Sequence, residues 1–177
     1  ATRHGVRFFV TPGNHDLYAI HGRHQSKRFL NLDGTHTLVT SDSDAPQGDS
    51  VARIVTDEMY CGGYEPALRA MATFGFFRTE ADLHWESPFG ADDRLESRTF
   101  AIRSADGGTT RRMIDASYLV EPVPGLWLLA IDANVFEPRN GDGDPAAERS
   151  YIDSTDAGWN SMVRNKPFVL RWMHDVA

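Results

Sequence analysis

Short runs of β-branched and aromatic residues, each closed by Pro or Gly, constrain the fold of this chain more than any other sequence feature. The first run is Val6–Thr11, which Pro12-Gly13 closes. Near-continuous apolarity followed by a Pro-Gly break predicts a buried strand that runs into a tight loop. Two further runs, Ser117–Val120 and Leu126–Ile131, are joined by Pro122–Gly125 and predict a hairpin whose second strand is deeply buried.

Segments with helical periodicity alternate with these strands. From Tyr64 to about Phe74, apolar residues recur at intervals of three and four and predict an amphipathic helix. A shorter helix is predicted over Thr56–Tyr60, and another from about Pro167, which suits a first helical turn. Alternation over Arg98–Arg103, followed by a Gly-Gly turn, predicts one more strand. Strands and helices mixed at these spacings predict an α/β or α+β domain.

Length and composition fit such a domain. The 177 residues are 41% hydrophobic and 24% charged, which is enough for a packed core. The stretches Ser41–Ser50 and Glu137–Asp156 are rich in turn-forming residues and are predicted to be loops. Because the chain begins without Met and a helical pattern runs into its last residues, we expect residues 1–177 to be part of a single larger domain, truncated at both ends.

Charge and cysteine content exclude several classes of protein. The 18 Lys and Arg residues against 25 Asp and Glu residues give a net charge of −7. Such an acidic chain, without a run of basic residues, is a poor candidate for binding nucleic acid by charge. The single cysteine, Cys61, excludes an internal disulfide framework and a multi-cysteine zinc site. No stretch approaches the roughly 20 apolar residues of a membrane helix.

The residues best suited to chemistry follow the first predicted strand, in Gly13-Asn14-His15-Asp16. The carboxamide oxygen of Asn14 is a hard, neutral ligand for a divalent cation. The imidazole of His15 can donate a proton or a hydrogen bond to an oxygen that gains negative charge, and the Asp16 carboxylate can fix the imidazole tautomer. A merely polar turn is the alternative interpretation, because Gly, Asn and Asp are turn residues.

The segment Phe9–Asp16 closely resembles the Gly-Asn-His-Asp/Glu signature of the calcineurin-like metallophosphoesterases. This resemblance implies that Asn14 binds one of two divalent metal ions (Mn, Fe, Zn or Mg). It implies that His15 contacts the scissile phosphate and assists the leaving group, and that Asp16 orients His15. It also implies a partial four-layer α/β/β/α sandwich and hydrolysis of a small-molecule phosphate ester by a metal-bridging hydroxide. The Thr-Pro pair before the motif, and Asp16 in place of Glu, are more similar to the bacterial phosphodiesterase branch, so a diester substrate is favoured over a monoester.

Two other stretches support the resemblance. Leu126–Asp132 is similar to a buried strand of the family that ends in Leu-Asp, and Phe168–Ala177 is similar to the helix before its later histidine-bearing strand. On that alignment His174 lies within the helix and is not a ligand. Most of the 132 − 16 = 116 positions between the motif and the end of this strand have no match to the family core. We therefore expect residues 30–115, approximately, to be rich in insertions.

Most of the family pattern is missing from the sequence, which contains no Asp-x-His before the motif and no Gly-His-x-His. One neutral ligand, Asn14, cannot hold a dinuclear centre. We therefore expect the function to belong to a longer protein and the isolated chain to be inactive. Two alternatives stay open: a non-catalytic member of the same fold that serves as a binding or scaffold module, and an unrelated α/β domain in which the tetrapeptide is only a turn.

Weaker candidates receive structural interpretations. The histidine and basic residues that follow the motif are interpreted as a solvated loop or face: His21, Arg23, His24, Lys27 and Arg28. Asn140, Asp142 and Asp144 alternate like calcium ligands, but Pro145 and Tyr151 stand where a calcium loop needs Gly and Glu. That stretch is interpreted as a loop.

Overall fold

A computed structural model of the chain describes residues 5–17, 23–24, 26–40, 60–140, 151–152 and 154–177. The helices are α1 (Asn14–Leu17), α2 (Tyr64–Ala70), α3 (Ser154–Asn165) and α4 (Pro167–Val176). The strands are β1 (Arg23–His24), β2 (Ser26–Leu30), β3 (His36–Thr40), β4 (Tyr60–Cys61), β5 (His84–Glu86), β6 (Thr99–Arg103), β7 (Thr110–Ile114), β8 (Tyr118–Val123), β9 (Leu126–Ala130), β10 (Glu137–Pro138) and β11 (Tyr151–Ile152). All strand pairs in these ranges are antiparallel, in sheets of two or three strands. The described residues therefore form a mixed α/β structure, as the sequence predicts.

The three-stranded sheet has the order β5-β8-β9. The predicted hairpin is confirmed as β8 and β9. The prediction that its second strand, within Leu126–Ile131, is deeply buried is wrong: Trp127 and Leu129 are 51% and 39% exposed, whereas Val120 of β8 is fully buried. The strand order explains this difference, because β8 has a neighbour on each side and β9 lies at the edge of the sheet.

A second hairpin is formed by β6 and β7. The strand predicted over Arg98–Arg103 is confirmed for Thr99–Arg103, which pairs with Thr110–Ile114. The N–H of Gly107 donates to the carbonyl of Ser104 at 2.9 Å and closes the turn between the strands. The partner strand β7 was not predicted, because two adjacent arginines interrupt its apolar alternation.

The first predicted strand does not form. Val6–Thr11 has no strand partner among the described residues, and Val6 and Phe8 are 52% and 51% exposed. The N–H of Val10 instead makes a single hydrogen bond to the carbonyl of Phe74 at 3.0 Å. An apolar run becomes a strand only where a neighbouring strand satisfies its backbone groups, and the local pattern does not report that neighbour.

The helices α2 and α4 follow the predicted apolar spacing. The first ends at Ala70, and a 3₁₀ turn over Ala72–Phe74 completes the predicted segment. In α4, Pro167 occupies the first turn, and Val169 and Trp172 are buried. Both helix predictions are confirmed.

Three other predictions have mixed outcomes. Of the predicted helix Thr56–Tyr60, residues 56–59 lie outside the described residues and the last residue lies in β4, paired with β1. The predicted loop Glu137–Asp156 contains β10, paired with β11, and the start of α3 at Ser154. The polar composition of this stretch gives no sign of a buried residue, but Tyr151 is only 4% exposed and packs in the core. The predicted loop Ser41–Ser50 lies outside the described residues.

One cluster of buried apolar side chains forms the core, with contributions from residues 17 to 169. Tyr64 and Phe136 meet edge to face with ring centroids 6.2 Å apart, and Phe76 and Tyr118 do so at 5.7 Å. Leu17, the last residue of α1, is fully buried in the same cluster. The core therefore reaches the helical turn that carries the candidate functional residues.

Candidate functional site

Asn14, His15 and Asp16 lie together in α1, a single helical turn that follows Gly13. We call Gly13–Asp16 the Asn-His turn. Asp16 closes it: its Oδ2 accepts the N–H of Gly13 at 2.9 Å, and its own N–H donates to the carbonyl of Gly13 at 3.1 Å. A carboxylate that reaches back to the N–H at the helix start is one half of a capping box.

The Asn-His turn is open to solvent on one side. His15 and Asp16 are exposed and Asn14 is half-buried, while Leu17 is fully buried. An imidazole is therefore presented where a ligand can reach it. The roles of Asn14 as a metal ligand, of His15 as the group that contacts phosphate, and of Asp16 as the residue that orients His15 remain predictions.

Two hydrogen bonds fix the residues that precede the turn. The Nδ2 of Asn134 donates to the carbonyl of Pro12 at 2.8 Å. The hydroxyl of Thr11 donates to the carbonyl of Ile131 at 2.8 Å. Since Ile131 and Asn134 lie just after β9, the turn is attached to the end of the β8–β9 hairpin.

Beneath this attachment lies the buried polar cluster, which we define as Tyr64, Asp115, Asp132, Asn134 and Lys166. The fully buried carboxylate of Asp132 is its centre. Its Oδ1 accepts the main-chain N–H and the Nδ2 of Asn134, at 3.0 and 2.9 Å, and the hydroxyl of Tyr64 at 3.3 Å. Its Oδ2 accepts the N–H of Ala116 at 3.1 Å. Both carboxylate oxygens are thus partnered, which a buried charge requires.

Lys166 supplies positive charge to the cluster. Its Nζ lies 2.9 Å from Oδ2 of Asp115, as an ion pair outside hydrogen-bond geometry, and 3.3 Å from Oδ2 of Asp132. The same Nζ donates to the main-chain carbonyl of Asp132 at 2.7 Å. Burial alone would lower the pKa of Lys166, but the two carboxylates outweigh it and raise that pKa above its ordinary value. The ammonium is therefore charged at neutral pH.

The charges of this region balance. Burial, and then the negative charges of Asp132 and Asp115, raise the pKa of Tyr64 well above its ordinary value of 10.0, so Tyr64 stays protonated and donates. A second buried cation, Arg98, donates to two main-chain carbonyls and is attracted by the same two carboxylates. Two carboxylates are thus offset in charge by the cations of Arg98 and Lys166, although burial outweighs this attraction at Arg98 and lowers its pKa.

The described residues do not by themselves fit a metal centre. Within them, no group of three or more His, Cys, Asp or Glu side chains is placed to hold a metal ion. The carboxylates of Asp115 and Asp132 are engaged by Lys166. Asn14 is the one predicted ligand in this part of the chain, so any further ligands of a dinuclear centre have to come from elsewhere.

The buried polar cluster was not predicted from the sequence, although a signal for it exists. Asp115 follows the apolar pair Met113-Ile114, Asp132 follows the apolar run Leu126–Ile131, and Lys166 stands just before the proline of α4. Charged residues beside buried apolar runs are unusual unless they are paired. Their pairing could not be inferred, because Asp115 and Lys166 lie 166 − 115 = 51 positions apart.

The weaker candidates lie outside the Asn-His turn and the buried polar cluster. Backbone positions are described for several of them: Arg23 and His24 in β1, Lys27 and Arg28 in β2, Cys61 in β4, and Asn140 after β10. His21, Asp142 and Asp144 lie outside the described residues. His174 lies in α4 as predicted, with its side chain 89% exposed. The interpretation as a solvated loop is wrong for His24, which lies in β1, whereas Arg28 is exposed, as the interpretation as a solvated face predicts.

Comparison with known proteins gives no relative from which a role could be transferred. No family model, curated protein or solved structure matches the chain. In the ranges that the structure covers, no helix is both long and apolar enough to cross a membrane. What the chain does has to be inferred from its own residues.

Proposed function

We propose that this chain is part of a metal-dependent phosphoester hydrolase of the calcineurin-like kind, a phosphodiesterase or phosphatase with the four-layer α/β/β/α sandwich. Its contribution to the active site is the Asn-His turn. One observation carries the proposal: the Gly-Asn-His-Asp tetrapeptide forms a single solvent-open turn, attached to a fully buried and charge-paired base. A rigid base below an exposed turn is the arrangement that a precise catalytic group requires.

The chemistry contributed by this chain centres on His15. An exposed imidazole can donate a hydrogen bond to a phosphate oxygen that gains charge, or a proton to the departing oxygen. Asn14, half-buried beside it, offers an amide oxygen to a cation. Asp16 keeps the turn closed through Gly13, so the two neighbouring side chains keep their relative direction.

Two divalent ions belong to the proposal. When bound, they would polarise the phosphate and lower the pKa of water, which also allows a chain with a net charge of −7 to act on an anion. Because the described residues supply Asn14 alone, no step is assigned to the ions, and their other ligands are placed outside the described part of the chain. The isolated chain of 177 residues is expected to show no metal-dependent turnover.

Substitution in the longer protein tests the proposal. With Mn²⁺ and an aryl phosphodiester, Asn14→Ala and His15→Ala are each expected to lower kcat/KM by about 10²–10⁴-fold, because each removes a group that acts on the phosphate or on its cation. The unfolding midpoint of each variant is measured alongside, so that a loss of rate with the fold retained is distinguished from unfolding. His174→Ala is the matched control, because it removes another exposed imidazole, from α4, and should leave the rate unchanged.

Two outcomes separate the rival interpretations. Rates equal to wild type in both turn variants, with the fold retained, would contradict the proposal and leave the tetrapeptide as a polar turn. A longer protein that binds phosphate esters through Asn14 and His15 but hydrolyses none of them would indicate a binding or scaffold module instead.

A further inference from the structure

We propose that Asn134 is a positioning residue for the Asn-His turn, which it holds by binding Pro12 at the start of that turn to the buried polar cluster. The effect of Asn134 on catalysis rests on the proposed function, but its effect on the position of the turn does not. No motif in the sequence singles out Asn134.

The side-chain amide of Asn134 uses both of its N–H groups. One donates to the carbonyl of Pro12 at 2.8 Å, and the other donates to Oδ1 of Asp132 at 2.9 Å. These acceptors lie 122 and 2 positions away along the chain. A single side chain thus joins the entrance of the exposed turn to the central carboxylate of the cluster.

The base to which Asn134 is attached is fixed. The carboxylate of Asp132 is held by Lys166 and by the N–H of Ala116. Its own main-chain N–H donates to Oγ of Ser117 at 3.0 Å. Asn134 is itself only 7% exposed, so water competes weakly for its hydrogen bonds.

The Asn-His turn needs such an attachment because it cannot hold its own position. The helix α1 has four residues, and an isolated turn of this length is not stable in water. The hydrogen bonds between Gly13 and Asp16 close the turn but do not connect it to the rest of the chain. Its direction is therefore set at its two ends: at the start by the bonds of Pro12 to Asn134 and of Thr11 to Ile131, and at the end by the buried Leu17.

Asparagine suits position 134 because the site requires two donors. The carbonyl of Pro12 and the ionised carboxylate of Asp132 can only accept. Alanine would remove both donors, serine would keep one, and aspartate would place a second carboxylate against the first. The side chain at position 134 therefore has to be an amide to hold the turn; a side chain that only fills the same volume would not do so.

The test compares Asn134→Ala with Ser117→Ala in the 177-residue chain. Ser117 is fully buried and binds the same Asp132, so its loss disturbs the cluster without touching Pro12. In amide NMR spectra, Asn134→Ala should shift the Gly13 and Asp16 resonances and make their hydrogen exchange about tenfold faster. Ser117→Ala should leave these two amides as in wild type. Amides of the β6–β7 turn report that the fold is retained.

Unchanged shifts and exchange at Gly13 and Asp16 in Asn134→Ala would overturn the proposal. If that variant does not fold, Asn134→Ser replaces it, and we expect a smaller change at the same two amides. Unchanged amides in Asn134→Ser would then overturn the proposal.

A kinetic measurement on the longer protein separates this proposal from the proposed function. There, Asn134→Ala should lower kcat by about 10²-fold at unchanged KM, the cost of displacing a catalytic group by about 1 Å, and Ser117→Ala should not. If Asn134→Ala alters the Gly13 and Asp16 amides but even the wild-type longer protein hydrolyses no phosphodiester, the positioning role is supported and the proposed function is contradicted. Wild-type hydrolysis by Asn134→Ala with unaltered amides would overturn the positioning role and leave the proposed function in place.

Discussion

The amino-terminal segment 5–17 and the hairpin β8–β9 both contain short apolar runs, but the two regions are held in different ways. Strand β8 pairs with β5 on one side and with β9 on the other. The segment 5–17 pairs with none of the described strands and is held by individual hydrogen bonds and side chains. The residues proposed to carry the chemistry therefore lie on a segment that side chains, rather than a sheet, keep in place.

The buried polar cluster lies where these two regions meet. Asp132 follows β9, and Asn134 connects it to Pro12 of the amino-terminal segment. Lys166, from the start of α4, neutralises the carboxylates below that connection. Substitutions at this junction should therefore lower the free energy of unfolding more than substitutions at the other contacts of the amino-terminal segment.

Lys166→Met is expected to have the largest effect. Without the ammonium, the buried carboxylates of Asp115 and Asp132 lose their common partner, and breaking a buried pair costs about 3–5 kcal/mol in the free energy of unfolding. Urea unfolding near neutral pH measures this loss. Arg171→Ala, which removes an exposed cation from the same helix, is the control and should change stability by less than about 0.5 kcal/mol. Equal losses in the two variants would show that the ion pairs of Lys166 do not stabilise this junction.

Tyr118→Phe is expected to have an intermediate effect of about 1–2 kcal/mol. The hydroxyl of Tyr118 donates one bifurcated hydrogen bond, to the carbonyl of Val10 at 2.8 Å and to that of Phe74 at 3.2 Å, and the contact with Val10 links β8 to the amino-terminal segment. Burial raises the pKa of Tyr118 to about 12 from 10.0. The stabilisation is therefore complete below pH 10.0 and is lost as the pH rises through the raised pKa.

Unfolding of wild type and Tyr118→Phe over this alkaline range checks the assignment. The stability difference between the two proteins should narrow as the pH rises above 10.0. A difference that stays constant would mean that the hydroxyl is not the group that links the two regions.

Asp82→Asn is expected to have the smallest effect of the three, about 1 kcal/mol near neutral pH, because Arg7 loses its ion pair while Thr79 keeps an acceptor. Burial alone would raise the pKa of Asp82, but hydrogen bonds from Arg7 and Thr79 outweigh it and lower that pKa below 3.8. The carboxylate therefore stabilises the fold above pH 3.8, and this contribution is lost as the pH falls through the lowered pKa.

The acid part of the stability profile is the readout for Asp82. It should be flatter in Asp82→Asn than in wild type, and unchanged in Asp175→Asn, which removes a carboxylate whose side chain is 75% exposed. If the stability of Asp82→Asn and of wild type falls identically at acid pH, the ion pair between Arg7 and Asp82 does not hold the amino-terminal segment.

Local sequence patterns correctly predicted the helices and strands that are stabilised mainly by residues close in sequence. The spacing of apolar residues predicted α2 and α4, alternation predicted β6, and two apolar runs joined by Pro122–Gly125 predicted the β8–β9 hairpin. The patterns failed where burial depends on a distant partner. Val6–Thr11 has the composition of a buried strand but no strand partner in the described ranges, and Leu126–Ala130 lies at a sheet edge.

The candidate site was predictable only in its exposed half. Asn14, His15 and Asp16 are adjacent in the sequence, so they lie close together in any fold. Its base was not predictable, because Lys166 and Asp132 are 34 positions apart and only the complete fold brings them together. A buried charge is tolerated where its partner is present, and the choice of partner is a property of the tertiary structure.

The leaving-group dependence of His15→Ala tests the proposed function most directly. If His15 protonates the departing oxygen, its loss should slow a phenyl phosphodiester more than a nitrophenyl one, because phenoxide is more basic and needs the proton more. With Mn²⁺ and the longer protein, we predict a fall in kcat/KM of about 10²–10⁴-fold for the phenyl ester and a fall about tenfold smaller for the nitrophenyl ester. Equal falls would assign His15 to a non-bridging phosphate oxygen, whereas wild-type rates with both esters would contradict the proposed function.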